Sequence, residues 1–114
     1  MSKTLEANAG NLPLLVGASY WYAAKGEGAK AVELAREALK IEPRYTWGYI
    51  ALGRGFMAQN LPLEAERSLL TARNFGSFPT IGYELAAARL QAGFYREAAD
   101  ELKKNFAVKN GTLE

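Results

Sequence analysis

Four glutamates, Glu64, Glu66, Glu97 and Glu101, are the side chains whose type and spacing could do acid–base chemistry, because carboxylates held in pairs can exchange protons with a substrate. Helical spacing puts them on exposed faces with no pocket toward which they converge, so catalysis is not expected of them. Histidine and cysteine are both absent. Nucleophilic Ser–His and Cys–His chemistry, and zinc held by thiolate or imidazole, are therefore excluded. Gly26-Glu27-Gly28-Ala29-Lys30 has the glycines of a phosphate loop, but no strand precedes it and the Gly-Lys-Ser/Thr order is missing. That segment reads as a turn between helices. Lys103, Lys104 and Arg96 alternate with Glu97, Asp100 and Glu101 and form a mixed, solvated face. We expect a non-enzyme with no cofactor and no metal.

The rest of the composition narrows the class further. The 114 residues suffice for one domain, expected to span 1–114, and 49% hydrophobic with 23% charged side chains is ordinary for a water-soluble protein. A net charge of +2 is too small to argue for nucleic acid or an anionic membrane. The charge-free run from Ala7 to Ala24 is broken by Gly10, Pro13 and Gly17, so no spanning helix is expected. Met1-Ser2-Lys3-Thr4-Leu5-Glu6 lacks the basic-then-apolar layout of a signal peptide, and a cysteine-free chain suits a reducing compartment. The expected location is the cytoplasm. Asn110-Gly111-Thr112 fits a glycosylation sequon, though one sequon in a tail is weak evidence.

What must position any functional side chain is a repeat. Leu15, Tyr49 and Tyr83 stand 34 residues apart, as do Tyr22, Phe56 and Leu90, and Ala31 and Ala65 keep the same step. The last copy comes early, with Ala98 and Leu102 lying 33 after Ala65 and Leu69. Two residues separate Leu90 from Gly93 where three separate Phe56 from Asn60, which puts the missing residue at the end of the third unit's first helix. A period of this size marks stacked helical units, repeats being expected over about 12–45, 46–79 and 80–108. Residues 109–114 are expected to form a disordered tail or tag remnant.

Each unit reads as two helices. Asn11 and Pro13 open the first, Gly26 stops it, and Ala31, Leu34, Ala35 and Ala38 give its partner one apolar stripe ended by Pro43. Asn60 and Pro62, then Gly93, punctuate the later units. Ser19, Gly53 and Ala87 recur where paired helices must approach closely, facing Ala31, Ala65 and Ala98. Tyr22, Phe56 and Leu90 are expected to plug the gaps between pairs.

Tyr49-x-x-Leu52-Gly53-x-x-Phe56 followed by Ala65-x-x-x-Leu69-x-x-Ala72 resembles the tetratricopeptide repeat, and Gly26, Ala31, Ala35, Ala38 and Pro43 fit the same signature in the first unit. The likeness covers about Leu12 to Phe106. Leu15, Ala18 and Ser19 depart from it, as does the absence of a closing proline in the second unit, so the turn from Asn74 to Thr80 is expected to be irregular. The resemblance implies an all-α, right-handed superhelix of three tandem helix-turn-helix repeats whose concave face holds a peptide or partner protein.

On that architecture the first helix of each pair lines the concave face. The expected binding residues are Tyr20, Trp47, Ile50, Arg54, Met57, Ile81, Glu84 and Gln91, with Val16 and Ala88 beside them. Family members that grip free C-terminal tails use a clamp of Lys, Asn and Arg; the comparable places here hold Val16, Tyr20, Ala51, Ile81 and Leu85, so no such clamp is expected. An RNA-binding helical repeat is disfavoured, because Val16, Ile50 and Glu84 cannot read bases. The functional expectation is a protein-interaction scaffold. Its alternative is a homodimerisation or intramolecular packing module, suggested by an uncharged first helix and by Ala98, Leu102 and Phe106 with nothing after them to pack on.

Overall fold

The computed structural model describes residues 11–110, with side chains described through Lys104. Phe106 as a packing side chain, Gly111–Glu114 and Met1–Glu6 lie outside that range. The described residues form six helices and no strand: α1 (Leu12–Ala24), α2 (Gly28–Ile41), α3 (Thr46–Ala58), α4 (Pro62–Phe75), α5 (Pro79–Ala92) and α6 (Tyr95–Asn110). Helix α6 thus runs past the boundary expected at 108. None of these helices is long and apolar enough to cross a membrane.

Local chemistry sets the helix ends. The Asn11 side chain accepts from the Leu14 N–H at 3.1 Å, and proline fills the first turn of α1, α4 and α5, where a missing N–H costs nothing. Each first helix stops at a left-handed residue: Gly26 (φ 84°), Asn60 (φ 62°) and Gly93 (φ 90°). The same bond closes each turn, from Glu27 N–H to Tyr22 C=O, Leu61 to Phe56 and Phe94 to Arg89, at 2.9, 2.9 and 2.7 Å.

Helices adjacent in sequence pack on one another throughout, and the first helices also touch in series, α1 on α3 and α3 on α5. The result is an elongated body of 50 × 27 × 19 Å. Its core runs from α1 to α5 in two linked patches. One gathers Leu15, Val16, Val32, Leu34 and Leu52; the other gathers Ile50, Leu69, Ile81 and Leu85. Tyr49 and Phe56 pack against both. Burying each such side chain contributes about 1.5–3 kcal/mol before entropy is counted.

Small residues set the helix spacing inside each pair. The Ser19 hydroxyl, fully buried, donates to the Ala31 carbonyl at 2.7 Å. A Cβ added at Gly53 would lie 2.9 Å from Leu69 Cγ. Between pairs the approach is as close, since a Cβ at Gly55 would lie 2.7 Å from Val32 Cγ2.

The missing residue is not where the sequence spacing put it. Four residues, Glu42 to Tyr45, join α2 to α3, but only three, Gly76 to Phe78, join α4 to α5. The loss lies in that link, so all of α5 is already displaced to a 33-residue step. Ile81, Leu85 and Ala88 are buried as Gly48, Leu52 and Gly55 are, 33 positions earlier. Ala86, not Ala87, takes the close-approach place of Ser19 and Gly53. Tyr83, Ala87 and Leu90, expected to pack inward, are exposed instead. One residue turns a helix by about 100°, enough to swing an inward face outward. Arg89 then falls where Tyr22 and Phe56 stand.

Candidate functional site

Three first helices, one from each pair, bring one expected group of residues together. Arg54 Nε on α3 donates to Glu84 Oε2 on α5 at 2.8 Å, and the same guanidinium lies 5.0 Å from the centre of the Tyr20 ring on α1. The Arg54 side chain stays 45% exposed while Glu84 is 17% exposed. Tyr20, half-buried, has its hydroxyl buried with no hydrogen-bond partner among the described residues. Burial pushes this phenol up to about 12, assisted by the Glu84 and Tyr45 charges and opposed by Arg54. The line Tyr20–Arg54–Glu84 therefore offers open guanidinium donors on an aromatic base.

The other expected residues divide. Trp47 at the start of α3 is half-buried and meets the Phe78 ring at 5.1 Å with a 34° tilt. Phe78 was not anticipated, because it sits in the shortened link whose course the repeat spacing does not fix. Met57 is half-buried against the second core patch. Gln91 is exposed and its side-chain amide donates to Asn60 Oδ1, so it ties two turns together. Ile50 and Ile81 are corrections: at 0% and 2% exposure they are core, each held beneath the neighbouring first helix. Val16 and Ala88 are buried in the same way, at 6% and 1%.

A second polar cluster went unread. Glu101 is 4% exposed and accepts from Arg89 Nη1 at 3.1 Å and Arg73 Nη2 at 2.7 Å; Arg89 Nε also donates to Glu66 Oε2 at 2.9 Å. Glu66 and Glu101 are thus not on solvated faces, as their spacing suggested, but inside a four-residue ion network joining α4, α5 and α6. Burial opposes the charge on Arg89, yet the hydrogen bonds and charges of Glu66 and Glu101 hold its guanidinium protonated still more firmly than usual. The signal that could have exposed the network was the Arg89–Glu101 spacing across a helical turn, invisible until the missing residue is placed.

Two concavities lie among the described residues. A cleft of about 200 Å³ lies among Arg73, Phe78, Pro79, Gly82 and Glu101. A shallower, mostly apolar one lies at Leu61, Leu63, Ala92 and Phe94. Among the described residues no three carboxylates cluster as a metal site would require. Compared with models of known protein families and with curated proteins, the chain matches none.

Proposed function

We propose that this chain is a non-enzymatic protein-interaction scaffold of the tetratricopeptide type, a right-handed superhelix that receives a peptide or partner protein along its first helices. One observation carries the reading: α1, α3 and α5 pack side by side and align Tyr20, Arg54 and Glu84, leaving Arg54 half open to solvent. The open edge of Arg54 offers N–H groups to a backbone carbonyl or carboxylate of a guest. Trp47 and Met57 add apolar contact area beside it, and aromatic and arginine side chains are the groups on which binding energy concentrates. The neighbouring carboxylates are tied up by arginine, which weighs against acid–base catalysis.

The test is capture of partners from a lysate by the wild-type chain and by the double variant Trp47→Ala, Arg54→Ala, with far-ultraviolet circular dichroism to verify folding. Proteins retained by the first and lost by the second support the groove. Equal capture by both removes it. A second reading, a module that packs on another copy or a neighbouring domain, draws on the exposed apolar side chains Tyr83 and Leu90 of α5 and Tyr95 and Leu102 of α6.

A further inference from the structure

The cleft beside Arg73, Phe78 and Gly82 has its cause in the register of the repeat. With all of α5 on a 33-residue step, Gly82 holds the place that Tyr49 holds on α3 and Leu15 on α1. Leu15 is buried there. The Tyr49 ring stacks on Phe75 at 5.7 Å, and its hydroxyl donates to the Pro43 carbonyl at 3.0 Å. The first two pairs thus seat a leucine and an aromatic ring at this place. Glycine brings no side chain to it, and a space of about 200 Å³ opens beside the link from α4 to α5.

The lining is of two kinds. Phe78, half-exposed, and the buried Ile81 give it apolar surface, while Arg73 from α4 and Lys104 from α6 bring two cations. Glu101, the one carboxylate in the described lining, has both oxygens taken, by Arg89 Nη1 at 3.1 Å and Arg73 Nη2 at 2.7 Å. The Arg73 side chain is 41% exposed, and a guanidinium carries five N–H donors, of which Glu101 takes one. Among the described residues no carboxylate pairs with Lys104. Two cations against one carboxylate leave the cleft with an excess of one positive charge beside a ring-sized apolar space.

We infer that this cleft binds an aromatic ring carrying an anionic group, with the ring beside Phe78 and the anion between Arg73 and Lys104. Aromatic rings pair favourably in offset or edge-on contact, and a guanidinium with a neighbouring ammonium suits a phosphate or carboxylate. A bare anion would leave the Phe78 and Ile81 surface to water. An uncharged ring would leave the excess charge unmatched, so both halves of the ligand are required. The chemistry is that of a free aromatic acid or of a phosphorylated tyrosine on a protein. The site is built on the second helices α4 and α6 with the start of α5, apart from the Tyr20–Arg54–Glu84 line, and does not depend on it.

Phenyl phosphate is the probe, titrated into the isotope-labelled full chain at constant ionic strength and followed by amide chemical shifts. Saturable shifts are expected at Phe78, Gly82 and Lys104. Inorganic phosphate and benzyl alcohol, each one half of the probe, are expected to bind at least about tenfold more weakly, the scale of one charge-assisted hydrogen bond. Lys104→Glu, at an exposed position, is expected to weaken phenyl phosphate by about tenfold or more with unchanged helicity. Phe78→Ala is expected to weaken phenyl phosphate but not inorganic phosphate, and Arg54→Ala to change neither. A phosphotyrosine peptide separates the two sources: tighter binding than the probe favours a protein-borne ring, weaker or equal binding a free aromatic acid. Shifts that never saturate, inorganic phosphate binding as well as the probe (an adventitious ion only), benzyl alcohol binding as well as the probe, or indifference to Lys104→Glu would each overturn the inference. None of these results bears on the groove, which is tested by partner capture.

Discussion

Arg89 and Glu101 meet at 3.1 Å inside the third helix pair, at a place where the first two pairs hold the rings of Tyr22 and Phe56. An ion network has replaced an aromatic plug. Truncating Glu101 to alanine would leave Arg89 facing a gap with only Glu66 for company, and uncompensated buried charge is costly. Glu101→Ala is expected to lose about 2–4 kcal/mol in urea unfolding, on the scale of broken buried pairs. The combined change Glu66→Gln, Arg89→Met, Glu101→Gln, which removes the buried charges together and refills the aromatic place with apolar volume, is expected to lose clearly less. Equal losses would count against this account.

Tyr20 gives a pH prediction whose sign is fixed by its burial. The folded phenol stays protonated up to about 12, against 10.0 for the free group. Below pH 10 the contribution is fully present; between 10 and 12 the unfolded chain loses the proton first, so stability falls as pH rises. Tyr20→Phe is expected to flatten that alkaline limb in denaturant titrations. At neutral pH it is also expected to gain up to about 1 kcal/mol, since it deletes a buried hydroxyl without a partner. A loss at neutral pH would show that the hydroxyl is satisfied.

Two helical glycines should respond in opposite directions to the same change. A Cβ at Gly17 meets nothing within 4 Å, so Gly17→Ala is expected to gain up to about 1 kcal/mol from helix propensity. At Gly55 the Val32 backbone and side chain stand in the way, and Gly55→Ala is expected to lose about 1–3 kcal/mol through overpacking. Thermal melts of the two variants decide the matter.

A free acidic C-terminal tail should not bind tightly. Of the places where a carboxylate clamp would stand, Val16, Ala51, Ile81 and Leu85 are buried apolar side chains. Titration calorimetry with such a peptide is expected to show no saturable heat. Micromolar affinity would contradict the reading.

Helix positions and pairing were legible because glycine, asparagine and proline punctuate every turn, and Ala31, Ala65 and Ala98 are buried as their spacing required. The third unit was misregistered for a physical reason. Ala86, Ala87 and Ala88 stand in a row, so either step offers a small residue at the close approach, and Tyr83 and Leu90 looked like better core than Arg89. Hydrophobicity favours the wrong frame there. Ile50 and Ile81 were placed on the groove for a related reason: contact between successive first helices is tertiary, and one helix's own periodicity does not report it. The Tyr20–Arg54–Glu84 line was legible as a set, though not as a bonded chain.

The short segment Gly76 to Phe78 shows that unit length is not itself under strict control. A deletion inside a helix would have rotated half its contacts away from their partners. Placed between hairpins, a link one residue shorter shifts the entire third hairpin by one position and leaves its helices seated as in the earlier pairs. Indels in such connectors are the expected tolerated route by which arrays of this kind drift in period while their helices stay in step.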